Sequence, residues 1–218
     1  TFLAREVPAL GYAVYRVIPQ TASPTGVSGQ ANVLENEHYR LTFDSGTGAI
    51  TSLLEKADNR EMLAGPANVV TCEPDKGDLW ELYAGLDPAS QVAMTRQQPV
   101  PRTGQARFSN EQSGPASVRN GPVFSEFHVA HPFGNGTFAT TVRLYNGLRR
   151  IDVRTQLLNN DRWVRYQALF PSTIKDGRSV HEIPFGAIER PAGIEFPAQN
   201  WVDYSDGRRG IALLNEGL

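Results

Sequence analysis

Short stretches of alternating hydrophobic and polar residues run along most of the chain, and this period of two predicts β-strands. Tyr39–Phe43 and Ala49–Leu54 both alternate, and the turn Asp44–Gly48 lies between them. The aspartate and the two glycines of this turn suit positive φ angles, so the stretch predicts a hairpin. Further strands are predicted at Ala67–Glu73, Gln105–Ser109, Ala116–Asn120, Val123–Ala130, Phe138–Tyr145, Arg150–Leu158, Val164–Phe170 and Gly210–Leu214.

The fold class follows from the spacing of these strands. No window shows the hydrophobic period of an amphipathic helix about ten residues long. The 218 residues include 20 glycines and 15 prolines, many of them at the ends of predicted strands. We therefore predict an all-β fold, a large antiparallel β-sandwich, in a chain long enough for one large domain or one domain with an appended piece.

The N-terminal region has a different composition from the rest of the chain. Val7–Ile18 alternates in part and predicts a strand. Residues 19–30 are rich in Ser, Thr, Gly and Pro, which predicts a linker. We expect the sandwich to span residues 31–218 and to be truncated at its C-terminus, and we interpret both ends of the chain as cuts in a longer protein.

The segment His181–Gln199 carries three prolines among hydrophobic residues. Because proline cannot donate to a sheet ladder, we expect an edge strand, a bulge or a crossing loop. Its hydrophobic side chains, including Phe185 and Ile188, predict that the segment lies against a sheet. The adjacent charges Glu189 and Arg190 either form a local ion pair, the commoner role of such residues, or contact a sugar.

Composition excludes several classes of function. The net charge of −2 argues against a surface for nucleic acid or anionic membranes, and no hydrophobic run reaches the roughly 20 residues that span a bilayer. The single cysteine, Cys72, excludes an internal disulfide. The N-terminal sequence lacks the features of a signal peptide, so a cytoplasmic location is favoured.

The histidines and carboxylates do not form a recognisable catalytic or metal-binding motif. His128 and His131 are three residues apart, which places them on opposite faces of a strand, and no cysteine or carboxylate nearby completes a ligand set. We therefore predict no metal ligand in this chain.

The stretch Asp78–Tyr83 is the strongest candidate for carbohydrate contact. Aromatic rings stack on the C–H faces of sugars, and carboxylates accept hydrogen bonds from pairs of hydroxyl groups. The residues expected to contact a sugar are Asp78, Trp80, Glu81 and Tyr83, with Glu189 and Arg190 as further candidates. The alternative is that Trp80, Leu82 and Ala84 form one face of a core strand.

Three long stretches, in the same order along the chain, resemble the C-terminal region of the family 38 glycoside hydrolases, which are retaining α-mannosidases. They read VLENEHYRLTFDSGTGAITSLLEKADNREML, TFATTVRLYNGLRRIDVRTQLLNN, and EIPFGAIERP followed by PAQNWVDYSDGRRGIALLN. The resemblance implies a large β-sandwich of the galactose-mutarotase-like (supersandwich) type. It also implies that Val7–Ile18 is the last strand of a small preceding β-domain.

The resemblance further implies a function for the complete protein. In that family the nucleophile and a zinc ion lie in an N-terminal α/β domain, which this sequence does not contain, so the resemblance implies no catalytic residue and no cofactor in this chain. We expect this chain to complete the cleft for a mannose-containing glycan and to support that domain, and to be inactive alone. The alternatives are a free-standing carbohydrate-binding or structural β-sandwich, and a mutarotase-like epimerase, which is disfavoured because His181 and Glu182 are adjacent and point to opposite faces of a strand.

Overall fold

The computed structural model describes residues 32–74, 106–191 and 198–215, Phe196, and most of residues 2–18. It also describes the backbone of two short strands, Leu82–Tyr83 and Ser90–Gln91. In this part of the chain all strand pairs are antiparallel, and the one helical element is the 3₁₀ turn Ser109–Glu111. No helix in it is long and apolar enough to cross a membrane. The predicted all-β class is therefore confirmed.

Most of the predicted strand segments from Tyr39 onward contain strands, and further strands lie at Val33–Glu35, Arg178–Ile183 and Trp201–Ser205. In chain order they are β1 (Val33–Glu35), β2 (Tyr39–Phe43), β3 (Ile50–Glu55), β4 (Arg60–Glu61), β5 (Val69–Pro74), β6 (Leu82–Tyr83), β7 (Ser90–Gln91), β8 (Arg107–Phe108), β9 (Ala116–Asn120), β10 (Phe124–Phe133), β11 (Gly136–Tyr145), β12 (Ile151–Leu158), β13 (Val164–Leu169), β14 (Arg178–Ile183), β15 (Gly186–Arg190), β16 (Trp201–Ser205) and β17 (Gly210–Leu214). They form a first sheet (β1-β2-β3-β4), a second (β12-β11-β10-β9), a third (β13-β5-β8), a fourth (β15-β14-β16-β17) and the two-stranded ladder β6-β7.

One hydrophobic core joins the first three sheets. Phe43 of β2 stacks on Phe127 of β10, with ring centroids 4.2 Å apart. The buried cluster consists of Leu34, Leu41, Phe43 and Ile50 from the first sheet, Val70 and Cys72 from the third, Phe127, Val129, Phe133, Phe138, Val142 and Leu144 from the second, and Leu63 and Ala67 between strands. Sheets that share one core in this way form a sandwich.

The β2–β3 hairpin shows how local sequence sets the register. Asp44 Oδ1 accepts hydrogen bonds from the backbone N–H groups of Gly46 (3.0 Å) and Thr47 (2.8 Å). Gly48 has φ +77°, whereas Gly46 does not take a positive φ, so one of the two glycines has the predicted conformation. A Cβ at Gly48 would lie 2.3 Å from Val129 Cγ1, so this turn also packs directly on the second sheet.

The longest hairpin, β10–β11, extends further than its sequence predicts. Its pairing runs from Phe124 opposite Tyr145 to Phe133 opposite Gly136. The turn between the strands predicted at Val123–Ala130 and Phe138–Tyr145 is therefore reduced to Gly134–Asn135, because the period-two burial of β10 continues through Phe133. His131 is buried and lies against the Phe138 ring, with centroids 4.9 Å apart.

Two predictions about exposed segments are wrong. The described residues of Val7–Ile18 form no strand, and Leu10, Tyr12 and Val14 are exposed, since no neighbouring strand supplies a ladder. Phe185 does not lie against a sheet: it is fully exposed at the tip of the β14–β15 hairpin with φ +65°. The predicted linker at residues 19–30 lies outside the described residues.

In the described part of the proline-rich segment, the structure shows the first of the three predicted alternatives, an edge strand. Among the described strands β15 pairs with β14 alone; it ends just before Pro191, and Pro184 lies in the turn before it. These positions tolerate proline because no ladder hydrogen bond is required there. No residue of the fourth sheet is fully buried, so this sheet has no core of its own.

Candidate functional site

The structure describes only part of the predicted carbohydrate-contact set. Asp78, Trp80 and Glu81 lie outside the described residues. The backbone of Tyr83 is in β6, opposite Ser90 of β7. The assignment of these four residues to sugar contact therefore stays a prediction.

Glu189 and Arg190 are neighbours in β15 and so point to opposite faces of the fourth sheet. They do not form the predicted local ion pair. Glu189 Oε2 instead lies 3.8 Å from Arg178 Nη1, and both side chains are largely exposed. An exposed pair of this kind adds little stability, because solvent screens the charges.

Arg190 is part of a compact cluster that we call the Arg190 cluster: Ser179, His181, Arg190 and Phe196. The guanidinium carbon of Arg190 lies 4.7 Å from the centroid of the Phe196 ring. His181 meets the same ring edge-on at 6.4 Å, and its Nε2 is 3.0 Å from Ser179 Oγ. Arg190 Nε is buried and has no hydrogen-bond partner among the residues that the structure describes. The cluster thus presents a cation with a spare donor, held against an aromatic ring.

A mainly apolar pocket lies on the same face of the fourth sheet. Ser179 pairs with both Arg190 and Tyr204 in the sheet register, which places the cluster and the pocket side by side. The cavity measures about 310 Å³ and is lined by Phe170, Ser172, Ile174, Val202, Tyr204, Ile211 and Leu213. The Tyr204 hydroxyl accepts a hydrogen bond from Gly177 N (3.2 Å), and Ser172 Oγ accepts one from Ile174 N (3.0 Å). The volume of the cavity is at the lower end of the range for ligand pockets, and its lining is suited to contact with an apolar group.

The epimerase alternative is not supported by the geometry. His181 and Glu182 are adjacent in β14 and face opposite sides of the sheet. Glu182 Oε2 accepts a hydrogen bond from Asn200 N at 2.7 Å, which ties the carboxylate to the β15–β16 connection. The two groups therefore cannot act together on one substrate.

The described residues contain no group of three or more His, Cys, Asp or Glu side chains that could hold a metal ion. His128 Nδ1 lies 3.0 Å from Thr141 Oγ1, on the opposite face of β10 from the buried His131. These residues therefore do not fit zinc, and no step of a reaction is assigned to zinc in this part of the chain.

A charged network fixes the end of the β10–β11 hairpin. Asp161 accepts hydrogen bonds from Asn135 N (3.1 Å) and Asn135 Nδ2 (2.7 Å), and Arg107 lies 3.3 Å away. The backbone N–H of Asn135, helped by Arg107, holds the pKa of Asp161 below its usual value. Burial, with the nearby Cys72 sulfur, raises the pKa of Tyr166 to about 12. The groups bind one another, so the network is structural.

Sequence analysis missed two buried polar residues on β5. Thr71 and Glu73 are both completely buried, although Ala67–Glu73 reads as a short apolar strand. Glu73 Oε2 accepts a hydrogen bond from Arg165 Nη2 at 3.0 Å. One signal for their shared environment was available in the sequence. The apolar run ends in Glu73, two residues after Thr71, and residues two apart share one face of a strand.

Taken together, the three sheets around one core and the attached fourth sheet define a large antiparallel β-domain of the sandwich class. The chain belongs to the family described as glycosyl hydrolases family 38 C-terminal domain, which matches residues 34–217. This match covers most of the chain and agrees with the resemblance found in its sequence.

Curated relatives carry the name α-mannosidase. The chain is 25% identical to alpha-mannosidase G of Dictyostelium discoideum over 201 residues, which cover 84% of this chain and 17% of that protein. It is 25% identical to alpha-mannosidase 2C1 of Mus musculus, over 96% of this chain and 21% of the relative. The human alpha-mannosidase 2C1 is 24% identical over the same shares. The chain therefore spans about a fifth of the length of these relatives.

Solved structures agree on the fold. An α-mannosidase from Enterococcus faecalis V583 superposes with a TM-score of 0.67 at 14% identity, over 95% of this chain and 26% of that one. A second protein of glycosyl hydrolase family 38 from Enterococcus faecalis gives a TM-score of 0.57 at 11% identity, over 88% and 26%. The sandwich architecture is thus shared with these proteins.

Proposed function

We propose that this chain is the C-terminal β-sandwich portion of an α-mannosidase-like glycoside hydrolase. In the complete protein it completes the cleft for a mannose-containing glycan and supports an N-terminal catalytic domain. The observation that carries the proposal is the family match over residues 34–217, in a chain that spans about a fifth of its α-mannosidase relatives. The nucleophile and zinc are supplied by the other domain.

The fourth sheet supplies the surface for this role. Its pocket is open and mainly apolar, and the exposed Phe185 projects from the same sheet. Exposed apolar surface of this extent supports contact with another protein region or a ligand. Within it, Arg190 is the described residue proposed to contact the glycan, since its guanidinium lies against the Phe196 ring beside the pocket. Asp78, Trp80, Glu81, Tyr83 and Glu189 complete the proposed set.

The test compares two arginines in the complete protein, one in the fourth sheet and one in a turn of that sheet. Arg190→Met removes the donor from the cluster and should lower kcat/KM for an aryl α-mannoside roughly ten- to a hundredfold. Arg209→Met is the matched control, because Arg209 pairs with Asp206 in the β16–β17 turn and neither residue belongs to the proposed set. Equal losses in both variants, or no loss in Arg190→Met, would contradict the assignment of Arg190.

The chain alone should not hydrolyse an aryl α-mannoside, because the nucleophile and zinc belong to the other domain and the described residues contain no group of three or more side chains that could hold a metal ion. Zinc-dependent turnover by the purified chain, abolished by a point mutation within it, would overturn this expectation.

A free-standing carbohydrate-binding module is the second candidate, favoured by the cation and aromatic ring of the Arg190 cluster beside an open pocket. It predicts that the chain alone binds mannose oligosaccharides in calorimetry, and that Arg190→Met abolishes the heat signal. The proposed function predicts that binding requires the catalytic domain.

A further inference from the structure

Two polar atoms on β5 are enclosed in the protein without a hydrogen-bond partner. They are Thr71 Oγ1 and Glu73 Oε1, and both residues are completely buried. A buried polar group without a partner is costly, and such groups in folded proteins normally mark a bound water, an ion or a functional site. Two of them within three residues indicate one shared cause.

The two side chains lie on the same face of the strand. Residues two apart in a strand point the same way, and their Cα atoms are roughly 6.6 Å apart. The sheet register places Arg165 opposite Glu73 and Gln167 opposite Thr71, on the neighbouring strand β13. The intervening residue, Cys72, points to the other face and belongs to the hydrophobic core. Thr71 and Glu73 therefore border one polar site on the face away from that core.

The charge balance of the site defines its ligand. Arg165 Nη2 already binds Glu73 Oε2 at 3.0 Å, so the carboxylate charge has its partner and a second cation is not required. Glu73 Oε1 still needs a hydrogen-bond donor, and the Thr71 hydroxyl needs an acceptor. A single hydroxyl group meets both needs, because it donates one hydrogen bond and accepts others.

We propose that Thr71 and Glu73, with Arg165 holding the Glu73 carboxylate, form an enclosed binding site for one hydroxyl group. The hydroxyl belongs either to a water molecule or to a sugar. It donates to Glu73 Oε1, accepts from the Thr71 hydroxyl and links two side chains of the central strand of the third sheet. This proposal does not rest on the proposed function, because a hydroxyl-binding site at β5 is independent of mannosidase activity.

The first test is the thermal stability of the full 218-residue chain. Thr71→Val keeps the shape of the side chain and removes its hydroxyl. A bound hydroxyl loses a partner in this variant, so the Tm should fall by about 2–8 °C. Thr140→Val gives the calibration, because the buried Thr140 hydroxyl accepts a hydrogen bond from Asn68 Nδ2 at 2.9 Å. An unchanged or higher Tm for Thr71→Val overturns the proposal, since removal of a truly unpartnered hydroxyl relieves the cost of its burial.

The second test identifies the source of the hydroxyl and does not depend on whether Thr71→Val folds. Magnetisation transfer from water to the Thr71 amide proton in the wild-type chain indicates a bound water, and Thr71→Ser, which keeps the hydroxyl, should retain that signal at its own amide. Without this signal, a rise in wild-type Tm with added mannose that is absent in Thr71→Ala indicates a sugar hydroxyl. Absence of both the water signal and the mannose effect overturns the proposal.

Discussion

Gly48 is the residue of the β2–β3 turn that combines a left-handed backbone with a close packing contact. Its φ is +77°, and an added Cβ would approach Val129 Cγ1 to 2.3 Å and Thr140 Cγ2 to 3.0 Å. Gly48→Ala should therefore lower the free energy of unfolding by about 2–4 kcal/mol, from backbone strain plus overpacking of the second sheet. Urea denaturation of the chain measures this loss.

Gly207→Ala is the matched control for Gly48→Ala. Gly207 also has a positive φ, +82°, but no atom lies within 4 Å of an added Cβ. Its replacement should cost only the strain of the backbone, about 1 kcal/mol. Equal losses at the two glycines would show that the contact with Val129 has no energetic consequence.

At the residue scale, sequence predicts roles that depend on near neighbours in the chain. Asp44 and Gly48 of the first hairpin act within their own turn, so residue type and order indicated it. Glu73 depends on Arg165, which is 92 residues away, and its burial depends on strands that sequence cannot position. The partner of Glu189 was missed for the same reason, since Arg178 faces it only after β14 and β15 have paired.

At the scale of elements, Asp161 links the turn of the β10–β11 hairpin to the connection that precedes β13. Its folded pKa lies below the unfolded value of about 3.9. Because the folded pKa is depressed, the stabilisation is fully present above the unfolded pKa and is lost as pH falls through the folded pKa. Asp161→Asn should thus be less stable than wild type at pH 7, by about 1–3 kcal/mol for a charged hydrogen-bond acceptor, and the difference should shrink below about pH 4.

Chemical denaturation of both proteins from pH 7 to pH 3 measures this difference. A gap in unfolding free energy that stays constant over that range would mean that the Asp161 charge does not contribute, and that only its hydrogen-bond geometry matters.

The elements were predictable where a strand buries one face. β2, β3, β10, β11 and β12 alternate in burial or pair in hairpins with short turns, and the sequence shows both features. Val7–Ile18 alternates as well, but alternation cannot supply the neighbouring strand that a ladder needs. The hydrophobic residues of the β14–β15 hairpin suggested burial, yet a turn tip has few neighbours to cover Phe185.

For the whole molecule, the uncovered fourth sheet has a consequence in solution. The chain alone should self-associate at high concentration, because Phe185 is fully exposed and Ile188 is 38% exposed on the same hairpin. Phe185→Ser should weaken this association about tenfold or more, since burial of a large apolar side chain contributes roughly 1.5–3 kcal/mol. Its free energy of unfolding should not change. Sedimentation over a concentration series measures the effect.

Trp163→Ser is the control for this experiment. Trp163 is also an exposed aromatic residue, 70% accessible, but it lies between β12 and β13 rather than on the fourth sheet. Weaker association in both variants would indicate nonspecific association through exposed aromatic rings, and not through a surface centred on the β14–β15 hairpin.

The position of Cys72 turns the chain's single cysteine into a reporter of motion in β5. Its sulfur accepts a hydrogen bond from Arg107 Nη2 at 3.2 Å, and only 1% of the residue is exposed. A thiol reagent can react only with molecules in which this strand has separated from its neighbours. When closing is faster than modification, the labelling rate gives the equilibrium constant for that opening, without any engineered label. Because Cys72 lies between Thr71 and Glu73, occupancy of the hydroxyl site should slow the labelling reaction, and Thr71→Val should speed it.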